Sequence, residues 1–370
     1  MEQHIKATNS PRNSSIELLR IITMFLIVFS HVCVHSKFDT SASAITFNKL
    51  FIQWGNLGNL GVDIYWLISG YFLCTKTKNL RSVIHLLLQV WFYSFLLFFI
   101  CKYGFHYSYS LKEFLQVFFP TIFEGYWFFT AYFILSLFCP YINTVLLKIT
   151  QQDLIKLICI LVFLWIIIPT FTSQTMYSSY LEQLLVFYVI GAYFRLYPHS
   201  LTFNKHIPLA IALCSLALLF TSTLVLDFLG QYVDVLQNRG TIFYRRSSLL
   251  TFLCATGIFI YFIKRPQFYN PIINRIGACT FGVYLIHDNF AVRHILWLKV
   301  FNLAERFDAV YLPVLIIAAA ILVFTASTLM EYLRLRLLGH VFTSFSAWIE
   351  NKLNHLVQSL IISQLPSNRQ

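Results

Sequence analysis

Residues 18–32 read LLRIITMFLIVFSHV, and how this stretch is read decides the fold. It is dominated by leucine, isoleucine, phenylalanine and valine, yet it holds Arg20 near one end and His31 near the other. The two are eleven positions apart. In a helix that is about 16 Å of rise and almost three whole turns, so both side chains lie on one face. That face does not look at lipid, because a charged group in hydrocarbon costs several kcal/mol. It looks into a protein interior or a wet cavity. Snorkelling accounts for Arg20 taken alone. The aligned pair points to function, because imidazole is the side chain whose proton moves most easily near neutral pH.

The rest of the chain has the same character. Of 370 residues, 58% are hydrophobic and only 11% are charged, and the mean hydropathy is +0.68. A soluble domain has no interior large enough to hide that much apolar surface. About 20 apolar residues span a bilayer as a helix, and ten such runs are legible: 16–35, 58–74, 82–101, 126–147, 154–171, 181–197, 207–226, 247–263, 276–292 and 311–331. The runs are continuously apolar rather than alternating, which excludes a β-barrel. The expected class is all-α: a polytopic membrane bundle of about ten transmembrane helices. With a cytoplasmic N-terminus, 17 of the 27 basic residues fall in inside segments, which predicts both termini cytoplasmic. The same bias explains the net charge of +12 without any nucleic-acid partner. The chain divides into a polar segment 1–15, a membrane domain 16–335 and a tail 336–370. Within the tail, SAWIENKLNHLVQSLI (346–361) has the spacing of a helix lying on the inner membrane surface or of a plain solvated tail helix. The eight cysteines show no CxxC spacing and read as small apolar fillers, so no metal site is expected.

Four further stretches carry polar groups. GVDIYWLISGYFL (61–73) places Asp63 about one turn below the outer surface, as an interfacial acid or as a carboxylate that orients His31. TKTKNLRSV (75–83) sets Lys76, Lys78 and Arg81 at the cytoplasmic face, as ordinary positive-inside charge or as a phosphate clamp. TFGVYLIHDNF (280–290) puts His287 near the depth of His31, followed by Asp288 and Asn289; a helix-ending polar cluster and a functional site compete as readings. FEGYWFFTAYF (123–133) and YRRSS (244–248) bring Glu124, Trp127, Arg245 and Arg246 to the outer interface. There they belong to an aromatic belt and a helix cap, or to a site for an acceptor.

Taken in order, these motifs resemble the acyltransferase-3 family of membrane acyltransferases. The Arg-x10-His of the first span, GVDIYWLISGYFL, YWFFTAYFILSLFCPYIN (126–143) and TFGVYLIHDNF all carry the likeness, which covers about residues 14–335. The resemblance implies ten spans in a bacterial inner membrane. It also implies transfer of an acyl group, often acetyl, from cytoplasmic acyl-CoA to a sugar hydroxyl of a surface polysaccharide or its lipid-linked precursor. No bound cofactor is implied; acyl-CoA is the donor substrate. Carried over by residue, His31 is catalytic and Arg20 its partner along the donor path, with Lys78 and Arg81 where the family binds the donor. The residues themselves, rather than the resemblance, suggest Asp63 or His287 to orient His31 and Glu124, Trp127, Arg245 and Arg246 to take the acceptor. The family often has Arg-x-x-Arg where this chain has Lys78-Asn79-Leu80-Arg81. Many members also carry a fused extracytoplasmic hydrolase-like domain, which this sequence lacks, so the membrane domain is expected to complete the transfer. A competing reading is a transporter or flippase of a polysaccharide intermediate, since transport paths are lined by the same residue types.

Overall fold

The computed structural model describes residues 13–41, 44–75, 80–173 and 180–364, and among these there is no β-strand. The helices follow in order: α1 Ser14–His35, α2 Phe47–Trp54, α3 Gly58–Leu73, α4 Leu80–Phe99, α5 Leu111–Phe118, α6 Trp127–Lys148, α7 Gln151–Val162, α8 Ile168–Thr172, α9 Tyr180–Leu196, α10 His206–Leu229, α11 Leu249–Ile263, α12 Pro271–His287, α13 Phe290–Ile295 and α14 Leu312–Gln364. Every one of the ten apolar runs falls on a helix. Six helical stretches are long and apolar enough to cross a membrane: Ser14–His35, Leu80–Gly104, Trp127–Lys148, Gln151–Thr172, His206–Leu229 and Leu312–Ser359. The other four runs correspond to α3, α9, α11 and α12, of 15 to 17 residues. At 1.5 Å per residue these are about 23–26 Å long, short of a hydrocarbon core of about 30 Å.

Local chemistry explains several boundaries. Asn13 caps α1, its side chain accepting from the Ser15 N–H, and Glu17 sits in the first turn. α7 and α8 form one continuous span through a π-helical turn, Phe163–Ile167, that immediately precedes α8 and Pro169. Proline has no N–H to give and its ring crowds the carbonyl four residues back, so the regular ladder loosens there. The ninth run is shifted from the 276–292 expected. α12 ends at His287, and Asn289 starts α13 by accepting from the N–H groups of Ala291 and Val292. The tail does not break away from the last run: α14 is one helix of 53 residues, about 80 Å long, uninterrupted across 335/336.

α3 lies at the centre. Ile64, Trp66 and Leu67 have no exposure at all. Its partner α9 approaches so closely that a Cβ on Gly70 would strike the backbone of Tyr188, and one on Gly191 the backbone of Leu67. Small residues permit such crossings between membrane helices, where packing rather than water expulsion drives association. α1 packs on α3 and α12. Its first turn is tied down by Ser14 Oγ donating to Asn274 Oδ1 at 2.8 Å and Ser15 Oγ donating to the Phe262 carbonyl at 3.0 Å. α14 runs antiparallel to α4, with Glu331 beside Gln89 and Tyr93, Phe342 against His85, and Glu350 paired with Arg81. The inner faces of α1, α3, α4, α12 and α14 leave a space between them.

Candidate active site

That space is a cavity of about 870 Å³. Arg20 and His31 both line it, so the face they share on α1 looks into a polar interior, as the helical spacing predicts. The ends of the cavity differ. Its wall carries one cluster of Gln89, Glu331 and Arg334, a second of His31, His35, Asp288 and Arg293, and a third of Trp127 and Arg246.

His31 is held from one side. Its Nδ1 lies 3.1 Å from His287 Nε2 and 3.5 Å from Asp288 Oδ1. The other ring nitrogen of His287, Nδ1, is 2.6 Å from the Val283 carbonyl. A carbonyl only accepts, so His287 Nδ1 carries the proton and its Nε2 offers a lone pair. His31 Nδ1–H then donates to that lone pair, which leaves His31 Nε2 unprotonated. A backbone carbonyl thus sets the tautomer of two imidazoles in series. Asp288 adds a carboxylate beside His31, itself held by Arg293 Nη1 at 3.3 Å. His287 has no exposure and Asp288 only 4%, whereas the His31 side chain retains 19% and faces the cavity. One ring nitrogen therefore belongs to the protein scaffold and the other is available to a reactant.

The break between helices at Asp288–Asn289 makes this possible. His287 is the last residue of α12, Asp288 caps its C-terminus, and Asn289 opens α13. Asn289 Nδ2 donates to the Tyr126 hydroxyl at 3.0 Å, and that hydroxyl donates to the Leu285 carbonyl at 3.1 Å. The polar cluster ends a helix and at the same time brings His287 and Asp288 against His31 on the cavity wall.

The remaining sequence-chosen residues are distributed unevenly. Arg20 lies on the cavity wall, paired with Glu17 at 3.0 Å. Arg81 is exposed, bonds Glu350 at 2.8 Å and is not on the cavity wall. Lys78 lies outside the described residues. Asp63 has no exposure, makes no bond to His31, and neither of its carboxylate oxygens has a hydrogen-bond partner. The charge that acts on it is Arg246. Arg246 stacks 4.5 Å over the Trp127 ring and both line the cavity, while Glu124 and Arg245 are exposed and do not. Asp288 belongs to the polar cluster the sequence marks after His287, but no role follows for it from sequence; Arg293 and His35 carry no sequence expectation. His35 is one helical turn beyond His31, and its ring centroid is 4.8 Å from that of His31. That spacing was a legible signal.

The described residues are helical, with several helices of membrane length around a cavity into which His31 is held. Residues 13–332 match the family model described as the acyltransferase domain, and the chain belongs to the acyltransferase-3 family. No curated protein and no solved structure matches it.

Proposed function

We propose that this membrane acyltransferase moves an acyl group, acetyl in our reading, from cytoplasmic acyl-CoA to a sugar hydroxyl of a surface polysaccharide or its lipid-linked precursor. In this reading it crosses a bacterial inner membrane ten times with both termini inside, so that the Arg20 end of the cavity faces the donor and the Trp127–Arg246 end faces the acceptor. The observation that carries it is the oriented His31 on the wall of a cavity that also takes in Arg20, 11 residues away on the same helix face.

The chemistry follows from the tautomer. His31 Nε2 removes the proton from the acceptor hydroxyl as its oxygen attacks the thioester carbonyl carbon. The imidazolium that forms is stabilised by Asp288, 3.5 Å from Nδ1. Collapse of the tetrahedral intermediate breaks the C–S bond, and the proton on Nε2 passes to the leaving sulfur. The ester is formed, the thiol is free and His31 is restored. Burial of the surrounding dipoles strengthens each of these interactions relative to water.

The test is donor consumption. Membranes holding the protein should convert acetyl-CoA to free CoA in step with loss of an acceptor hydroxyl, and His31→Ala, inserted normally, should abolish both. Movement of a saccharide across the membrane with no loss of thioester would replace this reading with a transporter. NMR of the surface polysaccharide, with and without the gene, should show an O-acetyl signal that depends on it.

A further inference from the structure

The inner half of the cavity holds a polar network that the reaction above does not use. On α14, Arg334 grips Glu331 with both ends of a fork: Nε to Oε2 at 2.8 Å and Nη2 to Oε1 at 2.7 Å. From α4, the Tyr93 hydroxyl donates to Glu331 Oε2 at 2.6 Å and Gln89 Nε2 donates to Oε1 at 3.1 Å. The Arg334 and Glu331 side chains are 3% and 1% exposed. Glu331 presses against α12 where residue 282 is glycine; a Cβ there would overlap the carboxyl group. Every acceptor lone pair of Glu331 is thus committed. The donors are not: Arg334 Nη1 is buried and has no hydrogen-bond partner, and Arg334 and Glu331 line the same cavity as His31.

A buried guanidinium N–H without an acceptor is costly unless something supplies one. Here the charge is already balanced by Glu331, so what remains is a directed donor rather than a net positive site. A phosphate would meet the Glu331 carboxylate and be repelled. A neutral carbonyl would not. The position also matters: Gly282, against Glu331, precedes His287 by five residues, about 7–8 Å along α12. In a thioester of CoA the arm beyond the sulfur carries an amide two methylenes away, so an arm running from His31 toward Glu331 brings an amide carbonyl along that wall.

We propose that Arg334 is a donor-binding residue whose Nη1 hydrogen-bonds an amide carbonyl in the arm of the acyl thioester. This deepens the assignment of acyl-CoA as donor and rests on it. Glu331, Tyr93 and Gln89 are positioning residues that hold the guanidinium, and none of them touches the substrate.

The experiment measures equilibrium binding of CoA and of pantetheine, which keeps the arm and lacks the nucleotide, to the full chain in detergent. The paired variant Glu331→Gln with Arg334→Gln removes the free guanidinium without leaving a lone buried charge. It should weaken both ligands by about tenfold or more, the scale of a charge-assisted hydrogen bond. A second measurement needs no variant: a pantetheine analogue with a methylene in place of the amide carbonyl nearest the sulfur should bind the unaltered protein weaker by a similar factor. Unchanged pantetheine affinity in both arms, with CoA still bound, would overturn the role of Arg334 and leave the donor assignment standing. Weakening of CoA without weakening of pantetheine would move Arg334 to the nucleotide phosphates and overturn the proposal as stated. Failure of the unaltered protein to bind either ligand would overturn the donor assignment and this proposal together.

Discussion

His31 Nδ1 and His287 Nε2 stand 3.1 Å apart although 256 residues separate them in the chain. The Val283 carbonyl, 2.6 Å from the far nitrogen of His287, makes that contact directional. His287 is thus a tautomer-setting partner for His31. His287→Ala should lower kcat by about 10²-fold or more, within the range a general base contributes, with little change in donor KM. His287→Gln keeps an acceptor near Nδ1 and should recover part of the loss. Steady-state kinetics on normally inserted variants, compared with His31→Ala, checks the order. A His287→Ala enzyme at full kcat would remove the relay.

Asp288 sits between His31 at 3.5 Å and Arg293 at 3.3 Å. It is the only anion paired with the ring among the described residues. Asp288→Asn keeps the shape and removes the charge, so the imidazolium loses its stabilising partner. The expected result is a fall in kcat of about 10- to 100-fold with donor binding retained, since ion-pair stabilisation in a buried setting is worth a few kcal/mol. Arg293→Gln should act in the same direction but less, because it loosens the carboxylate rather than deleting it. Single-turnover rates at saturating donor separate the effect from binding.

How much of this was visible beforehand divides along the line between local and tertiary physics. The shared face of Arg20 and His31 follows from helical periodicity alone, and both residues line the cavity. The depth of His287 follows from counting along its run. Which group orients His31 did not follow. The sequence offers Asp63 or His287; the structure sets His287 and Asp288 against the ring and leaves Asp63 apart. That outcome depends on the rotation of α3 and on where α12 ends, and those are set by packing. Arg334 falls just beyond the last apolar run, 311–331, and by sequence is one more inside charge. The helix instead continues, and the Glu331–Arg334 pair, spaced i, i+3, stays inside the bundle.

Arg20 and Arg81 were grouped as donor ligands by the resemblance, yet only Arg20 lies on the cavity wall. Arg20→Gln should raise donor KM by about tenfold, the loss of one charge-assisted contact. Arg81 is half exposed and bound to Glu350. Arg81→Gln should change donor KM by no more than about twofold and stability by at most about 1 kcal/mol, the ceiling for such a pair. Measuring donor KM for both variants at two salt concentrations checks the contrast. An equal effect would return Arg81 to the donor path.

At the other end, Arg246 lies 4.5 Å over the Trp127 ring, and both face the cavity. If the acceptor enters here, removing the ring or the cation affects acceptor KM and leaves donor KM alone. Trp127→Leu and Arg246→Gln should each raise acceptor KM by about 5- to 30-fold, the span of a cation–π contact plus a hydrogen bond. Glu124→Gln and Arg245→Gln, off the cavity wall, should change it by less than about twofold. Initial rates with varied acceptor at saturating acetyl-CoA give the comparison.

Packing supplies the last contrast, because two glycines in helices predict opposite signs for one substitution. A Cβ on Gly70 would overlap the Tyr188 backbone, which no side-chain rotation relieves, so α3 and α9 must part. Around Gly339, in the exposed part of α14, a Cβ meets nothing within 4 Å. Gly70→Ala should therefore destabilise by about 1–3 kcal/mol, as overpacking does. It should also lower activity, since α3 carries Tyr65 and Ser69 on the cavity wall. Gly339→Ala should stabilise by up to about 1 kcal/mol through helix propensity and leave activity unchanged. Thermal melting of both variants in the same detergent tests the pair. A Gly70→Ala protein that melts at or above the parent temperature would show that α3 and α9 are not in the backbone contact described.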